Sequence, residues 1–203
     1  MIKQIFRFIE KWGCIVLQAP IFIIYHIHPQ RKFLREEREH WLNVLNFPQN
    51  NRLDQHVMLY NLIEFRTLLY RRIGGICKLF RWYLRDDRYS IALNCDEIGK
   101  NLVLHHGHGT RIGANKIGEN VEIWHNVTIG TDISHSGNRP TIGNNVKIYT
   151  GAIVFGNIHI GDNAIIAAGC VVHKNVPANT TIVGNPAKIV KINGQKIYPP
   201  QDL

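Results

Sequence analysis

The sequence is poor in the residues that mark several large classes of protein. It has 4 cysteines and no C-x-x-C pair, so we expect reduced cysteines, with no disulfide framework and no structural zinc site. Charged residues make up 19% of the chain, and no recognition-helix, RNA-binding or zinc-finger pattern accompanies the basic ones. The sequence therefore argues against a nucleic-acid partner and favours a folded chain with an apolar core.

A long hydrophobic run is also missing. The most apolar stretch, from Gly13 to Ile27, is too short to span a bilayer and is interrupted by Gln18 and Pro20. No small-residue cleavage site of a secretory signal follows it. Two interpretations stay open: this segment packs as a core helix, or residues 1–30 lie on a membrane surface. The expected location is the cytoplasm, with peripheral contact at the inner face of the membrane as the alternative.

Charge and composition divide the chain near residue 90. Residues 1–90 carry 15 of the 24 Lys and Arg but 8 of the 15 Asp and Glu. Their apolar periodicity predicts helices over 32–46, from residue 54 to the Gly74-Gly75 break, and over 76–84. From Ile98 onward Gly and Asn increase and charge decreases. We expect three parts: an α-helical domain over 1–90, a β domain over 91–190 and a C-terminal tail over 191–203.

The β domain has a strict six-residue period. Aliphatic residues recur without a gap at Ile142, Ile148, Val154, Ile160, Ile166 and Val172. This period fits neither a helix nor a simple strand, and it indicates a solenoid whose short strands alternate with turns. Three such units make one triangular coil, and each coil buries its aliphatic residues against its neighbours.

The period fails in two places. It slips between Leu104 and Ile117, around HHGHGTRIGANK, and thirteen residues separate Ile129 from Ile142 where six are expected. A solenoid tolerates insertions where they project from a turn, and such loops commonly carry the binding face. We therefore expect the functional residues at these two interruptions.

Three segments of residues 91–190 carry a resemblance to a known family. They read IGKNLVLHHGHGTRIG, IGENVEIWHNVTIGTDISHSGNRPTIG and IGDNAIIAAGCVVHKNVPANTTIVGNPAKIV. They resemble the hexapeptide-repeat acyltransferases, especially the serine acetyltransferase group and its relatives in polysaccharide gene clusters. The resemblance implies a mainly β fold, a left-handed parallel β-helix, with an α-helical N-terminal domain. It also implies a homotrimer, alone or as a dimer of trimers, with sites between subunits.

The implied reaction is the transfer of an acetyl group from acetyl-CoA to a hydroxyl. A hydroxyl is a weak nucleophile near neutral pH, so a side chain that titrates near pH 7 must take its proton. The catalytic His of the family aligns with His106, and the alternative base is His135 in the inserted loop. His125 is as well explained by a subunit interface as by a site. We see no sign of a covalent acyl-enzyme nucleophile or of a metal.

The acceptor site departs from the serine acetyltransferase pattern. The Asp that precedes the catalytic His is His105 here, and the Arg-His-Pro of the loop is Arg139-Pro140. The aspartate that orients the catalytic His aligns with Ala92, which leaves three possible substitutes: Asn94, Asp96 and Glu97. The candidate acceptor-binding residues are His105, His108, His135 and Arg139.

These departures favour a neutral polyol over a zwitterionic amino acid. We therefore expect an O-acetyltransferase acting on a sugar or polysaccharide precursor. Two alternatives stay open: serine O-acetylation, and a non-catalytic trimeric scaffold or membrane-binding module.

Acetyl-CoA is long and anionic, so its site needs narrow turns and nearby lysines. The family's positions for the donor map onto eight residues of this chain: Gly130, Thr131, Gly151, Ala152, Ala168, Gly169, Lys174 and Lys188. The solenoid turns need small residues in any case, so the small ones fit a purely structural role equally well.

Overall fold

The computed structural model describes residues 2–47, 59, 61–75, 90–132 and 137–203. The chain divides into two compact units, Met1–Asp87 and Arg88–Leu203. The first unit is helical where it is described, and the second is a β solenoid. Each is described below by itself.

Three helices form the described part of the first unit. They are α1 over Ile2–Ile27, α2 over Arg31–Val44 and α3 over Ile63–Ile73. Gly74 ends α3 with a φ of 79°, a left-handed conformation that glycine adopts without strain. The first part of the long helix that the sequence predicts from residue 54, and the whole of the helix predicted over 76–84, lie outside the described residues.

The helical unit has an apolar core crossed by one ion pair. Trp41 of α2 is fully buried and meets Phe65 of α3 edge to face, with ring centroids 5.3 Å apart. Arg72 of α3 holds both carboxylate oxygens of Glu37, at 2.8 and 3.2 Å. The two-point geometry satisfies a carboxylate that is 4% exposed, and such a pair fixes the register between two helices.

The described residues of the second unit form sixteen strands in three sheets. Sheet 1 contains β1 (Ile91–Leu93), β4 (Thr110–Ile112), β7 (Thr128–Gly130), β10 (Ile153–Phe155) and β13 (Val171–Val172). Sheet 2 contains β2 (Glu97–Ile98), β5 (Lys116–Ile117), β8 (Thr141–Ile142) and β11 (His159–Ile160). Sheet 3 contains β3 (Val103–His105), β6 (Glu122–Trp124), β9 (Lys147–Ile148), β12 (Ile165–Ile166), β14 (Thr180–Val183), β15 (Lys188–Ile192) and β16 (Gln195–Asp202).

Successive strands visit the three sheets in turn, so the chain is a parallel β-helix of about five coils. Each sheet pairs equivalent strands of neighbouring coils, as in Ile98 beside Ile117 and Ile117 beside Ile142. The six aliphatic residues of the strict period are all at most 1% exposed. The solenoid predicted from the period is therefore confirmed, because only a stack of coils buries every sixth residue on the coils above and below.

The three connections between sheets make three corners of the coil. Corner A joins sheet 3 to sheet 1, corner B joins sheet 1 to sheet 2, and corner C joins sheet 2 to sheet 3. Corner C carries a column of left-handed asparagines whose side chains form a ladder between coils: Asn101, Asn120, Asn145, Asn163 and Asn179. Asparagine tolerates this conformation, and its amide bonds to the same residue of the next coil.

The last three strands, β14 to β16, close the C-terminal end of the solenoid. β14 pairs with β15, and β15 pairs with β16, both antiparallel. The predicted tail over 191–203 is thus part of sheet 3. Its last residues approach two lysines: Lys174 Nζ donates to the Leu203 carbonyl at 2.7 Å, and Lys188 Nζ lies 3.7 Å from Asp202.

Candidate active site

The first interruption of the period is a two-residue insertion at corner A. His105 pairs with Trp124 of the next coil, and the His108 carbonyl accepts from the Asn126 N–H at 2.9 Å. One coil higher, the His125 carbonyl accepts from the Gly151 N–H in the same way. His108 and His125 are therefore equivalent, and the extra residues are His106 and Gly107. The slip seen in the sequence is an outward bulge that begins at His106.

His106 occupies the bulge in a strained and accessible position. Its φ of 51° is left-handed, which is rare for a residue with a Cβ, and its side chain is exposed. Such strain at a non-glycine residue is typical of functional sites. Its imidazole has no hydrogen bond to any described residue, and the nearest aromatic neighbour is His125, with ring centroids 6.4 Å apart and planes at 71°.

His125 is the residue that sequence reasoning left undecided. Its Nδ1 is buried, with no hydrogen-bond partner among the described residues. A buried ring nitrogen without a partner is unfavourable by about 1 to 3 kcal/mol. Its place beside His106 makes it a further candidate for the site. The sequence signal was its position one coil above the slip.

The expected orienting residues are not beside His106 in this subunit. Asp96 binds Arg139 at 2.6 Å, and Glu97 lies 3.2 Å from Lys116. The Asn94 carbonyl accepts from Arg139 at 2.9 Å. All three belong to the connection between β1 and β2 or to β2 itself, at corner B. Their nearness to Ala92 in sequence was misleading, because sheet 1 separates corner B from His106 at corner A.

His105 is held rigidly on the outer face of sheet 3. Its ring stacks on Trp124 with centroids 4.1 Å apart and planes at 10°, and Trp124 in turn stacks on Tyr149 at 4.3 Å. Its Nε2 lies 2.8 Å from Glu122 Oε2. The ring is thereby fixed in both plane and rotation, as expected for a residue that lines a binding site.

Glu122 connects His105 to a cation on the next coil. Its second oxygen lies 2.8 Å from Lys147 Nζ, and its side chain is 14% exposed. The hydrogen bond from His105, with a further one from Lys147, lowers the pKa of Glu122 from 4.5 to about 2, and the same carboxylate raises the pKa of Lys147. The ionised carboxylate of Glu122 therefore lies 2.8 Å from Nε2 of His105.

The second interruption lies at corner B. Arg139 is at the end of the inserted loop, where its guanidinium binds Asp96 and its own carbonyl accepts from the Asn115 amide at 3.0 Å. Gly130 ends β7 and Thr131 begins the loop. His135, the alternative base, lies outside the described residues. Arg139 thus fastens the loop to the first coil.

The predicted site residues therefore divide between two corners. His105, His106 and His108 are at corner A, whereas Gly130, Thr131 and Arg139 are at corner B. Sheet 1 separates these corners within one subunit. The sequence predicted one cluster, and a single subunit brings together only the histidine part of it.

Four of the eight candidate donor residues lie along corner A above His106: Gly151, Ala152, Ala168 and Gly169. Gly151 and Gly169 are left-handed, with φ of 70° and 67°, and the exposed Ala168 precedes the second of them. Ala152 is completely buried, so its side chain belongs to the core and does not reach a ligand. Lys174 and Lys188 contact the C-terminal residues, as described above.

A groove of about 700 Å³ lies at corner C and is lined by residues such as Glu97, Lys116 and Asn120. Of the residues considered for the site, only Glu97, a possible orienting residue, lines this groove, and there it lies 3.2 Å from Lys116 of the next coil. No cluster of three or more potential metal ligands occurs among the described residues.

Comparison with known proteins places this geometry in a family. Residues 139–174 match the family described as bacterial transferase hexapeptide (six repeats). Serine acetyltransferase of Neisseria gonorrhoeae in complex with serine is 30% identical, with a TM-score of 0.64, over 84% of this chain and 74% of that one. The chain belongs to the hexapeptide-repeat acyltransferases. Within them, it falls in the serine acetyltransferase-like group, as the sequence predicted.

Two further relatives agree. Serine acetyltransferase of Staphylococcus epidermidis is 46% identical over 144 residues, which are 70% of this chain and 65% of that protein. Serine acetyltransferase of Brucella abortus in complex with coenzyme A is 29% identical, with a TM-score of 0.67, over 87% of this chain and 74% of that one. The chain thus spans slightly less than two thirds of the length of the Staphylococcus epidermidis protein.

Proposed function

We propose that this acyltransferase moves an acetyl group from acetyl-CoA to a hydroxyl, with His106 as the general base. One observation carries the proposal: the regular coil is interrupted at corner A by a bulge that exposes the imidazole of His106. The residue alignment of the family supports the same assignment. The solved relative from Brucella abortus, which is in complex with coenzyme A, supports the donor.

The reaction needs two proton transfers, one to the imidazole of His106 and one from it. A neutral ring nitrogen of His106 takes the proton from the acceptor hydroxyl as its oxygen attacks the thioester carbonyl. The C–S bond breaks, and the thiolate of CoA receives the proton from the imidazolium. A backbone N–H at a turn stabilises the oxyanion. No covalent acyl-enzyme is needed, since both substrates react in one ternary complex.

The acceptor we propose is serine. The relatives named above are serine acetyltransferases, and they give no support to the sugar acceptor expected from the sequence. That expectation depended on the loss of a carboxylate at position 105. Glu122 supplies an ionised carboxylate 2.8 Å from the His105 ring, so the site keeps the negative charge that a substrate ammonium needs.

A sugar hydroxyl is the second candidate, on one specific observation. Both oxygens of Glu122 already have partners, His105 and Lys147. A carboxylate that is neutralised in this way attracts an ammonium group less strongly. The acceptor is therefore decided by measurement with both classes of substrate.

We also propose that the working enzyme is a homotrimer. His106 at corner A and Arg139 at corner B lie on opposite edges of sheet 1, and neighbouring subunits packed around an axis bring such edges together. The loop of one subunit then completes the histidine cluster of the next. The expected mass in solution is that of a trimer or of a dimer of trimers, measured by light scattering.

The test is the release of free CoA thiol from acetyl-CoA in the presence of serine, sugar nucleotides or simple polyols. Wild-type protein is expected to respond to serine, and His106→Ala to lose about 100-fold or more of the rate. His159→Ala, which changes an exposed histidine on β11, is the matched control and keeps its rate. A response only to sugars would reject serine but keep the transferase. No response to any acceptor, with no thermal shift on adding CoA, would reject the enzyme in favour of a scaffold.

A further inference from the structure

Helix α1 exposes a continuous apolar face. Trp12, Val16, Ile23 and Ile27 are 47%, 69%, 58% and 71% exposed. Because each residue advances about 100° around a helix, these four lie within an arc of about 60°. The row covers the described side chains of α1 from end to end.

The opposite face of α1 makes the contacts with the helical unit. Gln18, Ile21 and Tyr25 are 6%, 1% and 3% exposed, and Gln18 Nε2 donates to Asn61 Oδ1 at 2.8 Å. The helix is thus already anchored in the core by its narrow buried face. The exposed row lies on the side of α1 away from these contacts.

The exposed apolar surface is wider than a helix-pairing seam. Leu17 and Phe22 lie on either side of the row and are 52% and 39% exposed, so exposed apolar side chains extend beyond the row on both sides, although the buried Ile24 lies between the row and Leu17. A seam between two helices is a narrow stripe of two positions in seven. A wide arc that includes an indole ring suits immersion in the boundary between lipid headgroups and acyl chains.

The charge of this part of the chain matches an anionic surface. In the sequence of α1, Lys3, Arg7 and Lys11 follow one another at four-residue intervals, against one acidic residue, Glu10. Each basic residue near an anionic bilayer contributes about 1 kcal/mol. None of the described helices is both long and apolar enough to cross a bilayer.

We propose that α1 docks this protein on an anionic lipid surface, with the face formed by Trp12, Val16, Ile23 and Ile27 in the interface. This contact is independent of the acetyl-transfer site and of its acceptor. It would concentrate the protein at a membrane without anchoring it permanently, because a single amphipathic helix binds reversibly.

The experiment is flotation of the full chain with vesicles of phosphatidylcholine, with and without phosphatidylglycerol. Wild-type protein is expected to float with the anionic vesicles, and less as salt is added. Ile23→Ser/Ile27→Ser removes apolar surface without changing charge and is expected to reduce the bound fraction about tenfold or more. Tyr198→Ser is the matched control, since Tyr198 is 96% exposed on β16 and its loss leaves binding unchanged.

Three results would overturn the proposal. They are absence of flotation, equal flotation of the wild type and the double variant, and binding that ignores phosphatidylglycerol. A lower mass of the double variant by light scattering without lipid would instead assign the face to a second copy of the chain. Circular dichroism checks that the variant is folded, and Val16→Asp provides a second test of the same face if it is not.

Discussion

The Nε2 of His105 lies 2.8 Å from the Oε2 of Glu122, one coil above it on the same face of sheet 3. His105 comes from the strand just before the bulge, and Glu122 begins the strand that pairs beside it. The solenoid places them side by side although 17 residues separate them in sequence. This pair determines the charge next to His106.

The first prediction concerns the stability provided by this pair. The pKa of Glu122 is lowered from 4.5 to about 2, so its interactions are fully present above pH 4.5 and are lost as the pH falls through 2. The difference corresponds to about 3 kcal/mol as an upper limit. Glu122→Gln is expected to lower the free energy of unfolding in urea at pH 7 by about 1 to 3 kcal/mol. The difference in the free energy of unfolding between the variant and the wild type is expected to decrease as the pH falls from 4.5 to 2.

Glu119→Gln is the control for that measurement. Glu119 is 52% exposed and lies 3.6 Å from Lys100, and such surface pairs contribute at most about 1 kcal/mol. Equal effects of the two substitutions at pH 7, or an effect of Glu122→Gln that does not depend on pH, would contradict the assigned pairing.

A second prediction is that His125 positions His106. His125→Ala is expected to lower kcat about tenfold or more, with little change in the KM for acetyl-CoA, and to shift the acidic limb of the pH profile of kcat. His125→Asn keeps a polar group and recovers part of the rate. His173→Ala changes an exposed histidine that stacks on Phe155 and serves as the control. An unchanged kcat and pH profile in His125→Ala would remove His125 from the site.

A third prediction concerns the donor. Lys174→Gln/Lys188→Gln is expected to raise the KM for acetyl-CoA about threefold to tenfold, because two exposed cations near phosphate groups each contribute up to about 1 kcal/mol. The effect fades as salt is added. Lys196→Gln changes an exposed lysine on β16 and leaves KM unchanged. If the double variant and the wild type have the same KM at low salt, the phosphate groups of acetyl-CoA do not bind near Lys174 and Lys188.

A fourth prediction separates backbone strain from the asparagine ladder. Asn145 has a φ of 55°, and its side chain bonds to Asn120 and Asn163, both at 3.1 Å. Asn145→Gly keeps the backbone conformation and is expected to lose about 1 kcal/mol of stability from the ladder. Asn145→Ala loses the ladder and adds about 1 to 2 kcal/mol of strain.

The control for the ladder is Asn126→Gly. Asn126 is also left-handed, with a φ of 57°, but it lies at corner A outside the ladder, so its replacement by glycine is expected to be nearly neutral in thermal unfolding. If Asn145→Gly and Asn126→Gly have the same stability, the ladder contributes nothing measurable.

A fifth prediction tests how closely the coils approach at corner C. A Cβ added at Gly118 would lie 2.5 Å from the backbone C and O of Gly143 in the next coil, and backbone cannot move aside without separating the coils. Gly118→Ala is expected to destabilise the solenoid by about 2 kcal/mol or more in chemical denaturation. Gly130→Ala is the matched control, because no atom lies within 4 Å of its added Cβ. Comparable stability of the two variants would show that the coils are less tightly stacked.

The scaffold was predictable because its physical cause is local and repeated. Each aliphatic residue of the strict period meets the same residue of the next coil, so the period alone encodes the solenoid. The first interruption was recognisable for the same reason, since a bulge must break the count. The helices were less predictable at their ends, and α1 continues through Pro20 to Ile27, because its buried face holds it in place on both sides of the proline.

The acceptor site was less predictable. The sequence shows His105 in place of a carboxylate and therefore suggested the loss of a negative charge. The stack of His105 on Trp124 and its bond to Glu122 form only when neighbouring coils stack on one another. Asp96 was a candidate partner of His106 because it lies close to Ala92, with which the family's orienting aspartate aligns. The coil places Asp96 at corner B, where Arg139 binds it.

The sequence by itself determined the coil, the corners and the position of the exposed His106, since a repeat of six residues leaves one way to bury its aliphatic residues. The tertiary structure decided which polar residues meet. Residues one coil apart, such as His105 and Glu122, come together because parallel strands of neighbouring coils are hydrogen-bonded side by side. Residues at different corners of a coil, such as His106 and Asp96, are kept apart by the width of sheet 1 and the packed interior behind it.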